Sequence, residues 1–590
     1  MSYQTSKTST ADFVAVELGG LDRTAPLCGG KTSFELRNFR RTKWGSLRER
    51  DGIAPVVTFD ENIRGAISIK RGGVREVYVV AGQTVYFLKK EGKKRSAVAI
   101  GNLTTNEGKV TFLQHDGHLI LLDGAQLWSL TPENITRTPT YIPLYGREWA
   151  ESTNSVRDVY ELPNLLSNRL RLHFRTVMEG KIFRLGDLVP VSVDAALVNG
   201  KIYRKAITYN ATMNQAELSD ILPKNSEVEL FLTMPEEFAP IQSNLKTAHS
   251  ACAIGRAEDA RILFYDIEGT RDVRISRAIP KRDRRIVRAV VPETCMMYVT
   301  EEDEFTIGDG LHAVTGGCRH YDRSLIFTTK GTWMADGQLN EDGSFCLIPV
   351  NTTMGCAHVG GVAVLGNQPF TMFDNGLLRW NSDTDERNEC NAEVVSQPVR
   401  PLFEEGFENK TRIWADEDRG EIWCYCPGEQ GRVWVYQMEF GTWTSFDGFV
   451  PDLVFDMGDE EGIVIGQTLY RMAPDVFCDT MVTKEAPTGE KHLIEAEFQS
   501  PFLDFGSPEQ TKRLCEASAI ALCEGGVVTL TLQKADGKTY EVNMAEEGEM
   551  VCEWRRRVNV GRFRFLRMGI RYRGEGPLHL YCARLRTQKT

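Results

Sequence analysis

The chain has 590 residues, 42% of them hydrophobic and 26% charged, with a net charge of −11; this profile excludes a disordered or fibrous protein and fits a globular one. No apolar run approaches the ~18 residues of a membrane-spanning helix, and the polar, Thr- and Ser-rich opening lacks an apolar secretion core, so use without export is expected. Fourteen cysteines include no Cys-x-x-Cys pair. Apart from Cys424 and Cys426, which period-2 alternation puts on one strand face, they stand singly, as buried free thiols do.

Residues 13–145 read as alternating strands and tight turns. Val77 to Val80, Gly82 and Val85 to Leu88 form one hairpin signal. Val110 to Leu113 and His118 to Leu122, around Asp116-Gly117, form the next. A glycine followed within a few residues by an aromatic recurs as Gly82 to Tyr86, Gly124 to Trp128, Gly331 to Trp333, Gly376 to Trp380, Gly420 to Trp423 and Gly466 to Tyr470. The glycines are 42 residues apart in the first half and 45, 44 and 46 apart in the second. A period in the forties built from short strands is that of a β-propeller blade. The aromatics Trp333, Trp380, Trp423, Trp443 and Tyr470 are expected in the core, filling the space between blades.

From about Arg147 to residue 245 the rhythm breaks, with separate strands and an Asn199-Gly200 turn, which reads as a small domain inserted in a propeller loop. The rhythm resumes at Cys252 and runs through Val433 to Tyr436. Residues 477–490 are polar and read as a linker, and 493–590 give about seven alternating strands. The expected fold class is all-β: a β-propeller with an inserted small β-sandwich-like domain and a C-terminal β-sandwich. The expected segments are 1–146 (first blades), 147–245 (inserted β-domain), 246–485 (remaining blades) and 486–590 (C-terminal β-sandwich).

No phosphate-binding Gly-rich loop, His-x-x-x-His pair or Gly-x-Ser-x-Gly elbow is present. No catalytic residue, cofactor site or metal site is nominated. The acidic groups Asp416-Glu417-Asp418, Glu301 to Glu304 and Asp459-Glu460-Glu461 fall in predicted turns and are expected to be solvated. The first of them lacks the alternate spacing of a calcium loop. The stretch Asn340 to Phe345 weakly resembles the Asp-box of sialidase propellers, without its closing tryptophan.

Charge is unevenly spread. Residues 551–590 hold ten Arg and one Lys against two Glu, or +9, which leaves −20 for the first 550. Arg555, Arg556, Arg557, Arg562, Arg564, Arg567, Arg571 and Arg573 are therefore the candidate inter-chain contact surface. Arginines on a rigid surface make bidentate pairs with carboxylates or phosphates, so an acidic partner chain is the first expectation and nucleic acid the second.

The chain resembles the tail nozzle (tail tubular) propeller proteins of short-tailed bacteriophages. The likeness begins with Gly19-Gly20-Leu21-Asp22, Asn38 to Arg41 and the turn Gly45-Ser46-Leu47-Arg48-Glu49-Arg50-Asp51-Gly52. It continues through Leu325 to Gly331 with Gly355-Cys356, Val395 to Val399 with Phe403, and Val435-Tyr436 with Gly441 to Thr444 and Gly466 to Tyr470. It ends at Phe502 to Pro508 with Lys512-Arg513. The resemblance implies a virion protein without enzymatic activity, a homohexamer below the head-to-tail adaptor protein, and a conduit and candidate gate for double-stranded DNA ejection. It further implies attached tail fibres or spikes, assembly in the cytoplasm of the infected bacterium, and a place in the virion tail. An acidic body suits a wall past which DNA slides without sequence-specific binding. The alternative is a glycan-binding or glycan-cleaving propeller acting on a cell surface, for which pocket-facing carboxylates beside arginines would speak. A cytoplasmic scaffold of the WD type is disfavoured by the missing Trp-Asp and Gly-His signatures.

Overall fold

The computed structural model describes residues 12–589 apart from 25–30, 93, 116, 138–144, 149–154, 162–168, 186–187, 236–247, 256–260, 279–296, 299–303, 322, 340–344, 375, 382–389, 403–409, 429–430, 459, 484–485 and 546–550. Nearly all regular structure in it is β, in many sheets whose pairings are antiparallel apart from Glu35–Arg37 with Thr442–Phe446; a 3-10 turn at Gln397–Val399 leads into helical residues 400–402. The chain divides into two compact units. One comprises Met1–Ala81, Leu88–Val98 and Asn351–Thr590, the other Gly82–Phe87 and Ala99–Val350. Ile63–Arg71, Val74–Ala81, Thr84–Glu91 and Lys94–Asn102 form a four-stranded sheet.

The second unit holds three further four-stranded sheets. They run Thr111–His115 to Ile135–Arg137, Ala248–Ile254 to Glu304–Phe305, and Val314–His320 to Phe345–Asn351. Between the first two lie a six-stranded sheet, from Tyr145–Glu148 to Glu227–Thr233, and a three-stranded sheet of Gly180–Arg184, Gln215–Leu222 and Ile207–Asn210. Leu172, Phe174, Phe183, Ala216, Leu218 and Leu230 give these two sheets a core of their own.

In the first unit one four-stranded sheet runs from Val362–Leu365 to Ala392–Val394. Another contains Leu453–Asp456, Glu461–Ile465 and Thr468–Met472 and is completed by Ile53–Thr58 from the start of the chain. Pro55, opposite Tyr470, stands beside a register shift in the strand at the end of this sheet, the kind of position where proline is tolerated. Arg412–Asp416, Glu421–Tyr425, Val433–Gln437 and Thr442–Phe446 form a similar quartet. Here the sheet does not stop: it continues through Glu35–Arg37 into Glu490–Gln499, Leu566–Gly574, Gly526–Lys534 and Thr539–Ala545. A seven-stranded sheet faces it, built on Lys512–Cys523 and Leu578–Lys589 and joined by Asp12–Val16, Phe39–Arg41 and Leu47–Glu49. Phe498, Leu530 and Ile570 of one sheet and Ala519, Leu580 and Leu585 of the other share one apolar core.

These pairings revise two expectations. Residues 12–49, assigned to the first blades, lie in sheets with residues 490–589, because alternation shows that a segment is a strand but not which strand it pairs with. The linker at 477–490 contains a hairpin arm, Cys478–Met481 paired with Glu490–Gln499. The glycine–aromatic rhythm precedes the third strand of a sheet in five cases, while Gly420 precedes the second strand of its own. Gly82, Gly124, Gly420 and Gly466 hold the positive φ that their turns require. Trp380, Trp423, Trp443 and Tyr470 are at most 1% exposed, and Trp333 is half-buried.

Two buried polar side chains pin this architecture. All five N–H bonds of Arg50 have acceptors: Nε donates to Asn38 Oδ1 (2.9 Å), Nη1 to Asp51 O and Asp479 Oδ1, and Nη2 to Asp447 O and Asp479 Oδ2. Such complete pairing is what makes a buried guanidinium tolerable. Lys512 is 1% exposed as a residue, and its ammonium donates to the carbonyls of Ser507, Gln510 and Arg564 and so ties down the loop after Asp504.

Candidate functional site

Within the first unit, the turn between Arg412–Asp416 and Glu421–Tyr425 and the start of Glu461–Ile465 deliver acidic residues to one place. Asp416, Glu421, Glu461 and Asp51 are between 1% and 6% exposed. They surround Arg40, the middle residue of Phe39–Arg41, whose guanidinium also lies over the rings of Trp423 and Phe446. Its Nη2 is 3.5 Å from Glu421 Oε2, and its Nη1 is 3.7 Å from Glu461 Oε1 and 3.9 Å from Asp51 Oδ2. Arg419 is the second cation: it bonds Asp51 Oδ2 at 3.0 Å and pairs with Glu461. Trp423 Nε1 and Gln437 Nε2 donate to the Glu421 carboxylate, and the Arg419 backbone N–H donates to Asp416 Oδ1.

Four carboxylates around two guanidinium groups cannot all be ionised cheaply in a poorly solvated space. Burial, reinforced by Glu461 and Glu421, raises Asp416 to about 8. Burial also raises Glu461 to about 7, against the pull of Arg40. Arg40 stays firmly charged, since the surrounding carboxylates outweigh its desolvation. A cleft of about 210 Å³ opens over Asp416, Asp418, Arg419, Asp456, Glu460 and Glu461. Protonated acids next to charged ones in a cleft can hold a polar ligand or donate a proton.

The expectation that these carboxylates are merely solvated is therefore corrected for Asp416 and Glu461, whose backbones are drawn inward by the sheets they border; Glu417 and Asp418 do face solvent. Glu301 to Asp303, Asp459 and Asn340 to Ser344 lie outside the described residues. Among the described residues no group of three or more His, Cys, Asp or Glu is arranged to hold a metal ion. The usable sequence signal was Glu421, a charge opening the apolar run Ile422 to Tyr425. Nothing local marks Arg40.

The eight nominated arginines do not form one surface. Arg567, Arg571 and Arg573 belong to the ten-stranded sheet, while Arg555 and Arg562 lie on the seven-stranded sheet, and those sheets face each other across the core. Their outer faces point in opposite directions. Arg571 is exposed and pairs with Glu497 and Glu541. Arg567 is 8% exposed, its guanidinium stacked at 3.8 Å from the Phe34 ring centroid and 4.3 Å from that of Phe502, so it is consumed within its own chain. Arg23 also lies over the Phe34 ring, 4.0 Å from its centroid. Arg556, Arg557, Arg564 and Arg573 are exposed, Arg556 reaching the carbonyls of Asn543 and Met544.

No protein-family model matches the chain, and no curated protein matches it in sequence. Among solved structures it is similar to U3-55K (TM-score 0.28, 7% identity, covering 72% of this chain and 98% of that one). It is also similar to apo AztD from Citrobacter koseri (TM-score 0.30, 12% identity, 72% and 96%) and to the S. cerevisiae core factor (TM-score 0.31, 9% identity, 72% and 60%). Likeness at this level assigns no function. No helix among the described residues is long and apolar enough to cross a membrane.

Proposed function

We propose that this chain is a structural virion protein, the tail nozzle of a short-tailed phage, in which the four-stranded sheets close as a β-propeller and the sheets of residues 490–589 form a C-terminal sandwich. Copies would assemble as a homohexamer under the head-to-tail adaptor and conduct double-stranded DNA. The observation that carries this reading is the role of the residues behind the nozzle resemblance. Arg50 and Lys512 are buried polar pins, Trp443 is core, and Gly52 sits where a Cβ would come within 2.3 Å of the Cys478 carbonyl oxygen. Motifs made of fold-forming residues, rather than reactive ones, are what a resemblance between structural proteins rests on. Pairing of Ile53–Thr58 with Thr468–Met472 supports a closed ring of blades, since it ties the first strand of the series to the last.

Electron microscopy of phage particles labelled with a gold-tagged antibody against this chain tests the reading. Label at one vertex, at or just below the neck, is the expected result. Label elsewhere, or on no particle, would overturn it.

The cleft at Asp416 and Glu461 favours a second reading, a glycan-binding or glycan-cleaving propeller, because neighbouring carboxyls raised by burial, beside arginines, are equipment that glycoside hydrolysis uses. Against it, Arg40 and Arg419 already engage Glu461. Turnover on a glycan panel that Asp416→Asn abolishes would establish this reading.

A further inference from the structure

Strand register gathers arginines that the sequence scatters. Arg513 stands opposite Arg562 on one side and Gln588 on the other; Glu516 is opposite Arg586; Ser518 is opposite both Arg584 and Arg555. Directly opposed residues share a face, so Arg513, Arg555, Arg562, Arg584 and Arg586 all project from the outer face of the seven-stranded sheet. All five are exposed. The alternate positions Leu514, Ala517, Ala519, Ala583 and Leu585 are buried, which fixes the face rigidly. Arg555 is engaged with Glu553 at 2.8 Å, whereas Arg513, Arg562 and Arg584 make no ion pair among the described residues.

We propose that this arginine face docks on an acidic face of a second copy of the same chain. The inference rests on the reading that copies assemble. Two features select a protein over nucleic acid as the occupant. First, the first 550 residues of each copy carry −20 against the +9 of the last forty, so two copies are complementary when they meet basic end to acidic body. Second, Glu516 and Glu553 are interleaved with the arginines on the same face. Fixed carboxylates repel a polyphosphate, whose charge has one sign everywhere, but match a protein face of mixed sign. A basic face meeting a different, acidic face is a heterologous contact, the kind that generates rings.

The test is sedimentation velocity of the full chain at low and high salt, for the wild type, Arg513→Glu with Arg584→Glu, and the control Lys201→Glu with Lys224→Glu, which reverses two exposed charges on another sheet system. The expected result is wild-type self-association that weakens with salt, loss of about tenfold or more in affinity for the arginine variant, and none for the control. Should the double reversal not fold, as judged by its melting transition, Arg584→Gln serves in its place. A wild type that stays monomeric at low salt, a variant that associates normally, or arginine-dependent binding of a DNA duplex without self-association would overturn the proposal. Its failure is separable from that of the nozzle reading: neck label with an unaffected variant removes only this surface, and arginine-dependent association without neck label removes only the nozzle.

Discussion

Arg50 and Asp479 lie 429 positions apart in the sequence and form a two-pronged ion pair, 2.9 Å and 2.5 Å long, with both side chains at most 4% exposed. Asp479 Oδ1 also accepts the backbone N–H of Ile53, so the pair fixes the strand that completes the sheet of Leu453–Met472. Breaking one side of a buried pair leaves an uncompensated charge, at a cost of about 3 to 5 kcal/mol. Arg50→Met and Asp479→Leu should each lower the unfolding free energy by that order, and the double variant should lose clearly less than the sum. A strictly additive double variant in urea titrations would show that the two are not coupled.

The acid cluster around Arg40 gives stability a pH slope. Asp416 and Glu461 have folded values of about 8 and about 7, above the ordinary values of 3.8 and 4.5. Between those limits the folded state binds more protons than the unfolded one, so stability falls as pH rises, beginning near pH 4 and levelling off above pH 8. Asp416→Asn removes an ionisable partner while keeping the shape, and it should flatten part of that slope and stabilise by about 1 to 3 kcal/mol at pH 8. Melting curves from pH 5 to pH 9 check this; parallel wild-type and variant curves would refute it.

Gly52 does not have a positive φ, so its need is space alone. A Cβ there would lie 2.3 Å from Cys478 O and 2.7 Å from Cys478 N, both backbone atoms that cannot step aside. Gly52→Ala should therefore cost more than about 2 kcal/mol, against the few tenths to 1 kcal/mol of stabilisation that Gly→Ala brings where the backbone allows it. Stability unchanged in the alanine variant would mean that the hairpin arm at Cys478 moves freely.

Lys512→Met keeps the apolar stem and removes three donors. The carbonyls of Ser507, Gln510 and Arg564 then lose their partner, and the expected loss is about 2 to 4 kcal/mol, with early amide exchange in residues 504–510. Slow exchange there, with the ammonium gone, would contradict the pinning role.

Local pattern carried much of the fold. Alternation and glycine turns identify strands such as Val77–Val80 and Val433–Tyr436, and the buried aromatics Trp380, Trp423 and Tyr470 follow from their recurrence. What local pattern cannot carry is pairing across several hundred residues. Nothing near Leu36 announces Phe498 as its neighbour, and nothing near Leu47 announces Leu580. The same limit hid the Arg40 cluster and left the arginine face half seen, with Arg555 and Arg562 expected on a contact surface and Arg513, Arg584 and Arg586 not. The Arg40 cluster joins side chains from four separate segments, and the arginine face is assembled by register from Lys512–Cys523, Val551–Arg556, Arg562–Phe563 and Leu578–Lys589. Arg567 misled because a positive charge in a strand reads as surface unless the covering rings, here Phe34 and Phe502, are visible.

The pairing of Asp12–Val16 with Leu578–Lys589 has a consequence for synthesis. A ribosome delivers the strand Asp12–Val16 long before its partner exists, and the segments at 35–37, 47–49 and 53–58 wait in the same way for residues 442–589. Asp12–Val16, Glu35–Arg37 and Ile53–Thr58 are therefore made with open edges until partners several hundred positions later arrive, whereas the sheets from Tyr145–Glu148 to Glu227–Thr233 carry a core of their own and can close first. Pairing across several hundred residues, rather than growth of a local nucleus, is what closes these sheets.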